Sequence, residues 1–258
     1  VTGREKAALV EAARAAAWRA GAVILEVYAA EFDVHRKSDE SPVTLADHRS
    51  EAIIVAALHE IAPEIPVIAE ELAEAHGLPT VAPPLFWLVD PLDGTKEFVA
   101  RNGEFSINIG LVEGDRPVLG LIHVPAKDLT YAAAGPGTAT RQEGRGAPAP
   151  IAARSPPASG LVVTHSRSHN TSAKVDAFLQ GMNVARRLVS GSAYKFCLIA
   201  EGSADLYPRF GPTMEWDTAA GQAILEAAGG SVTTIEGAPF RYGKPGFLNG
   251  GFVARGLP

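Results

Sequence analysis

Residues 87–98 read WLVDPLDGTKEF, and they decide the fold. The apolar run leading into them, residues 85–89 (LFWLV), has the length and composition of a core strand. It stops abruptly at Asp90, Pro91, Leu92, Asp93, Gly94 and Thr95, so two carboxylates stand at the carboxyl edge of a strand. That edge is where proteins that layer helices on sheets place their chemistry.

Upstream, residues 66–69 read as a short strand that delivers Glu70 and Glu71, and residues 45–61 as a helix. Leu9, Ala13, Ala16, Ala20, Val23, Ile24 and Val27 recur at helical spacing and predict an amphipathic first helix. Downstream, a helical turn over 95–101 is followed by segments 105–112, 118–124 and 129–134. Gly114-Asp115 and Pro125-Ala126 separate these segments as turns, which predicts an antiparallel sheet. Residues 135–157 are rich in Gly, Pro and Ala and read as a loop-laden crossing. The boundary is set there: an N-terminal α+β subdomain over 1–140 and a C-terminal α/β subdomain over 141–258, joined in one compact unit. In the second part a strand is expected at 161–164, helices at 173–180, 193–201 and 218–228, and closing strands near Ser231 and Phe252. The fold class is mixed αβ.

The composition narrows the function classes. A chain of 258 residues, 47% hydrophobic and 20% charged, can bury one or two cores. Its net charge of -6 argues against a general nucleic-acid or anionic-membrane binder, both of which rest on a basic surface. Cys197 is the single cysteine, so no internal disulfide and no zinc spacing exists; it is expected in the core, and a reducing, cytoplasmic setting follows. The longest apolar run, about residues 20–30, is too short and too charged to span a bilayer, and no cleavage pattern follows it. Peripheral association with the inner membrane is left open, although no basic amphipathic segment supports it. The missing initiator Met reads as a processed or trimmed chain.

Crowded carboxylates repel, so Asp90 and Asp93 beside Glu70 and Glu71 call for cations among them. Hard oxygen ligands of this kind suit Mg²⁺. Gly94 lets the backbone pass close to a ligand, and Thr95 opens a helix whose free amides can hold a phosphate. An Asx-type turn with a helix cap would produce the same DxxDGT spacing without any chemistry. Asp47 likewise has a plain reading as the N-cap of the helix it enters.

Taken together, Glu70-Glu71, DPLDGT (90–95) and WDTAAG (216–221) resemble the signatures of the lithium-sensitive, Mg²⁺-dependent inositol monophosphatase superfamily. Within it, KSDESPVTLAD (37–47), DPLDGTKEFVARNGEFSINIG (90–110) and KFCLIAEGSADLYPRFGP (195–212) resemble the CysQ-type 3'(2'),5'-bisphosphate nucleotidases. The resemblance runs from about residue 37 to 252 and implies a layered αβαβα sandwich of the inositol monophosphatase and fructose-1,6-bisphosphatase type. It implies Glu70, Asp90, the Leu92 carbonyl, Asp93 and Asp217 as ligands of two to three Mg²⁺ ions, with Glu71 as a neighbouring acid. Asp47 pairs with the Thr95 hydroxyl to orient the attacking water, Asp39 sits near that water and a third Mg²⁺, and the amides of Gly94 and Thr95 hold the phosphate. His169, Gly191, Ser192, Lys195 and Arg209 match positions that hold the nucleotide. Most metal ligands then come from the N-terminal part, and the last ligand and the nucleotide contacts from the C-terminal part.

The activity implied is hydrolysis of 3'-phosphoadenosine 5'-phosphate to AMP and phosphate, in sulfate-assimilation turnover, by a monomer or homodimer with no protein or nucleic-acid partner. Two alternatives stand beside it: an inositol monophosphatase or broad sugar phosphatase, and an inactive nucleotide- or Mg²⁺-binding regulator. The sequence departs from the nucleotidase pattern at 72–84, which is shorter than expected, and at Leu72, which follows the acid pair in place of Asp or Ser.

Overall fold

The computed structural model of the chain describes residues 2–30, 42–166 and 172–258. Asp39 and His169, two of the expected site residues, lie outside them.

Two long helices come first. α1 (Gly3–Ala29) opens on a capping box: Thr2 Oγ1 accepts from Glu5 N at 3.3 Å, and Glu5 Oε2 accepts from Thr2 N at 2.7 Å. Two amides that a helix start leaves unpaired are thereby satisfied. The predicted stripe from Leu9 to Val27 is buried except for Val23, which is half-exposed. α2 (Pro42–Ile61) packs along α1. Because α2 starts at Pro42, Asp47 lies in its second turn, so the N-cap reading of Asp47 is corrected.

The first sheet has seven strands in chain order: β1 (Val67–Ala69), β2 (Leu85–Asp93), β3 (Ser106–Glu113), β4 (Arg116–Val124), β5 (Leu129–Ala133), β6 (Thr140–Glu143) and β7 (Ala149–Pro150). β1 runs parallel to β2 and every later pair is antiparallel. α3 (Glu70–His76) follows β1 directly and α4 (Thr95–Val99) follows β2. The expected loop over 135–157 therefore contains two short strands, which extend the sheet to Pro150.

The second sheet has the order β12-β14-β10-β8-β9. Its strands are β8 (Leu161–His165), β9 (Val184–Val189), β10 (Leu206–Arg209), β12 (Ser231–Thr234) and β14 (Phe252–Arg255); β11 (Thr213–Met214) pairs separately with β13 (Leu248–Asn249). Three helices accompany it: α5 (Ser172–Leu179), α6 (Tyr194–Ala200) and α7 (Ala219–Ala227).

Three apolar clusters define the layers. α1 and α2 cover one face of the first sheet through Ala20, Ile24, Ile54 and Leu58 against Trp87, Ile109 and Leu121. α6 and α7 fill the space between the sheets, with Phe196, Cys197, Ile224 and Leu225 against Leu88, Ile122, Tyr207 and Phe252. Val175 and Leu179 of α5 close the far side on Val163, Leu206 and Val253. Helix pair, sheet, helix pair, sheet and helix make the expected αβαβα sandwich, with Cys197 buried in its middle layer.

The middle layer sits unusually close to the first sheet. A Cβ on Gly110 would lie 2.9 Å from Ala219 Cβ, and one on Gly120 2.9 Å from Ala223 Cβ. Glycines on β3 and β4 thus face alanines on α7, and this close approach seats the turn that precedes α7 against the end of β2.

Candidate active site

Asp90 and Asp93 are three residues apart, and regular strand alternation would point them to opposite faces. The β2 ladder shifts register between them: Asp90 pairs with Asn108, whereas Asp93 pairs with Ser106, so three steps on one strand meet two on the other. The extra residue is a bulge, which turns both carboxylates to the same side. Pro91 lies within it and has no amide to leave unpaired, and Leu92 N donates to Asp90 Oδ1 at 3.0 Å. Contrary to the expectation that the strand ends at Asp90, β2 runs on through the bulge to Asp93. Gly94, at φ 95°, then makes the left-handed turn into α4 that a side chain would resist.

Other elements bring further acids to the same place. Ala69 pairs in parallel with Val89, so Glu70 emerges beside Asp90, close enough for a hydrogen bond between the two side chains. Asp47 and Glu51 stand one turn apart on α2. Glu51, which sequence reasoning missed, accepts from Glu71 N at 2.8 Å and from Leu72 N at 3.0 Å, and so fixes the start of α3. Glu71 Oε2 faces His48 Nδ1 at 3.3 Å, a partner that sets it apart from the inner acids. Asp217 ends the 3₁₀ turn Glu215–Asp217 and accepts from Met214 N at 2.9 Å. That turn is anchored by fully buried Glu215, which accepts from Gly243 N and Lys244 N and pairs with Lys244 Nζ at 2.6 Å.

The electrostatics show how tightly these acids are gathered. Burial and the fields of Asp93, Glu70, Asp217 and Asp47 push the Asp90 carboxyl well above the usual range. Asp47 rises to about 8 through burial and then Glu71, Glu70, Glu51 and Glu74. Glu70 rises to about 7, and Asp217 to about 8, in each case mainly through burial. Asp93 rises by burial against the pull of Lys195. Lys195 falls to about 8 for the same reason, with Asp93 pulling the other way. Burial thus outweighs attraction at both partners.

Lys195 sits on α6 after a loop, residues 190–193, that meets the acids directly. Ala193 N donates to Asp93 Oδ2 at 2.5 Å, and Asn108 Nδ2 reaches the same oxygen at 3.3 Å. Ser106 Oγ in turn donates to Asn108 Oδ1 at 2.9 Å. Lys195 is 2% exposed and gives hydrogen bonds to Ser190 O at 3.3 Å and Ser192 O at 2.5 Å. A cavity of about 400 Å³ opens here, lined among others by Asp93, Gly94, Ser192, Lys195, Arg209 and Asp217. Lys96, Asn102, Tyr207, Thr213 and Phe252 share the wall, and the sequence singled out none of them. Thr95 is exposed on the first turn of α4, while Asp47, Glu70, Asp90, Leu92 and Gly191 are not part of the cavity wall.

Among the described residues, no three His, Cys, Asp or Glu side chains already stand at the spacing of a closed metal-ligand set. The donor chemistry nevertheless fits a hard divalent cation: every candidate is an oxygen ligand, and burial together with mutual repulsion raises the pKa of these carboxylates.

A layered sandwich that gathers buried carboxylates beside a cavity lined also by Lys96, Lys195 and Arg209 suits a metal-dependent phosphatase. The chain belongs to the inositol monophosphatase family, whose model it matches over residues 5–255. Enzymes of this family are Mg²⁺-dependent phosphatases, and sensitivity to lithium is typical of them. The 3'(2'),5'-bisphosphate nucleotidase CysQ of Escherichia coli O157:H7 is 43% identical over 247 residues, 90% of this chain and 94% of its own. The crystal structure of CysQ from Bacteroides thetaiotaomicron, a bacterial member of the family, superposes with a TM-score of 0.83 at 38% identity, over 96% of this chain and 97% of that one. An inositol monophosphatase from Zymomonas mobilis follows at a TM-score of 0.79 and 25% identity, over 96% and 92%. Among the described residues, no helix is long and apolar enough to cross a membrane.

Proposed function

We propose that the chain is a 3'(2'),5'-bisphosphate nucleotidase that hydrolyses 3'-phosphoadenosine 5'-phosphate to AMP and phosphate. The observation that carries this is the wall shared by Lys195, Arg209, Asp93 and Asp217. A substrate with one phosphate at the acids would find cations for a second phosphate in the same cavity. A plain monophosphate has no need of them. The relative named 3'(2'),5'-bisphosphate nucleotidase at 43% identity supports the same substrate class.

In this reading Glu70, Asp90, the Leu92 carbonyl, Asp93 and Asp217 hold two to three Mg²⁺ ions. When bound, such ions lower the pKa of a water and clamp attacking and leaving oxygens. Asp47, paired with the Thr95 hydroxyl, orients the attacking water. The amides of Gly94 and Thr95 take the charge that develops on the phosphoryl oxygens. Lys195 has three N–H groups and spends two on Ser190 O and Ser192 O, which leaves one for the substrate. Arg209 offers its fork from the end of β10. Asp39 and His169, which the resemblance assigns to the water and the nucleotide, lie outside the described residues. The N-terminal part thus supplies most metal ligands and the C-terminal part the nucleotide contacts.

The test is phosphate release from 3'-phosphoadenosine 5'-phosphate, inositol 1-phosphate and AMP, each with and without Mg²⁺. Strong Mg²⁺-dependent turnover of the bisphosphate, with AMP left intact, is expected. Preference for inositol 1-phosphate would overturn the substrate assignment, and no turnover of any of the three would overturn the enzymatic reading.

A further inference from the structure

We propose that Glu104 is a positioning residue for substrate selection: it holds the loop 190–193 in the shape that aims Lys195 and Ser192 into the cavity. The proposal rests on the nucleotidase reading above. The loop does not hold its shape by itself, since Ser192 sits at φ 48°, a left-handed conformation that a non-glycine residue resists. External acceptors take its amides. Ser190 N donates to His165 O at 3.1 Å, Gly191 N to Glu104 Oε2 at 3.0 Å, and Ala193 N to Asp93 Oδ2 at 2.5 Å.

These holds differ in kind. The His165 group is backbone and Asp93 belongs to the acid cluster, whereas Glu104 is a side chain that grips the loop without lining the cavity. Its own position is set by Asn102, on the cavity wall, and by Lys127, which does not line the cavity. Glu104 N donates to Asn102 Oδ1 at 2.9 Å, and Lys127 Nζ stands 3.9 Å from Glu104 Oε1. The same ammonium lies over the Tyr194 ring, 5.4 Å from its centroid, one residue before Lys195. The seat also explains the glycine at 191: a Cβ there would come within 2.8 Å of Glu104 O and would press on the Glu97 side chain. Backbone rests directly on backbone, and a charge-assisted hydrogen bond locks the contact.

Without that carboxylate the loop can leave its left-handed turn and carry Ser192 and Lys195 with it. Asp90, Glu70 and Asp217 sit on other elements, and Asp93, which loses Ala193 N if the loop moves, keeps Asn108 Nδ2 as a donor. The defect should therefore appear as weaker binding of the doubly phosphorylated substrate and not as slower chemistry.

The experiment compares wild type, Glu104→Ala and Glu104→Gln on 3'-phosphoadenosine 5'-phosphate and on p-nitrophenyl phosphate at saturating Mg²⁺, with KM, kcat and half-saturating Mg²⁺ measured separately. Glu104→Ala should raise KM for the bisphosphate about tenfold or more, the scale of one hydrogen bond to a charged group. Its kcat, its Mg²⁺ requirement and its KM for the small monophosphate should stay within about threefold, and Glu104→Gln, which keeps an acceptor for Gly191 N, should recover most of the loss. Unchanged KM in Glu104→Ala, equal losses on both substrates, or a Gln variant as impaired as Ala would overturn the proposal. If Glu104→Ala does not fold, Glu104→Asp draws the carboxylate back from Gly191 N by one methylene, and the same KM-only defect is required of it. A wild type that shows no preference for the bisphosphate would instead sink the substrate reading, so the two failures are told apart.

Discussion

Asp90 is 2% exposed and stands within the fields of Asp93, Glu70, Asp217 and Asp47. Its backbone could fold equally well around a neutral side chain, because the hydrogen bond from Leu92 N uses Oδ1, which Asn retains, and an Asn amide can still donate to Glu70. Without metal, the charge at this position only destabilises the fold; in the proposed site it would hold the ion. Asp90→Asn should therefore act in opposite directions on stability and on function. Urea unfolding in EDTA should show the variant more stable than wild type by about 1–2 kcal/mol, while Mg²⁺-dependent phosphate release should fall by three orders of magnitude or more. A variant less stable than wild type in EDTA would mean that the acid cluster is not held against repulsion, and that its raised pKa values have another origin.

At the scale of elements, what the sequence showed depended on whether local pattern or tertiary contact sets the structure. Strand β2 was legible because an apolar run needs no partner to be recognised. The bulge that turns Asp90 and Asp93 to one side was not, since it exists only in the register with β3. β9 went unread because Arg186 and Arg187 break the apolar pattern, as befits an edge strand with exposed side chains. The same gap hid Glu51 and Glu104, whose partners lie 20 and 87 residues away and leave no local mark. The seat of α1 on β4 is a further case. A Cβ on Gly21 would lie 2.8 Å from His123 Nε2, so helix and strand meet at this pair. His123 Nδ1 faces the Leu129 carbonyl at 3.1 Å, which can only accept, so a proton sits on Nδ1, and burial disfavours a second one on Nε2. Burial lowers its pKa from 6.5 to about 4, with Leu129 and Asp128 opposing and Arg145 assisting. The unfolded chain then binds a proton that the folded one refuses. This stabilisation is fully present above pH 6.5 and is lost as pH falls toward 4. In urea titrations the advantage of wild type over His123→Gln should shrink by roughly 2–3 kcal/mol between pH 7 and pH 4.5. A pH-independent difference would exclude a buried neutral imidazole at this seat.

For the whole molecule, the decisive fact is that the candidate ligands do not belong to one element. Glu70 opens α3, Asp90 and Asp93 end β2, and Asp217 precedes α7, the helix that both sheets share as a middle layer. A cation held by all of them stitches the first sheet to the layer that supports the second, and Asp93 extends the link to the loop before α6 through Ala193 N. Mg²⁺ should then stabilise the molecule as one body and not one half of it. Binding to the folded state alone contributes about 2.7 kcal/mol at a hundredfold excess over Kd, and for a chain of 258 residues that is roughly 5–10 °C in Tm. Thermal melts followed by far-UV circular dichroism and by tryptophan fluorescence should give coincident single transitions that move upward together as EDTA is replaced by rising Mg²⁺. Asp90→Asn should abolish the shift while melting above metal-free wild type. Two separate transitions, of which Mg²⁺ moved only one, would show that the layers unfold independently and that the ligand set does not span them.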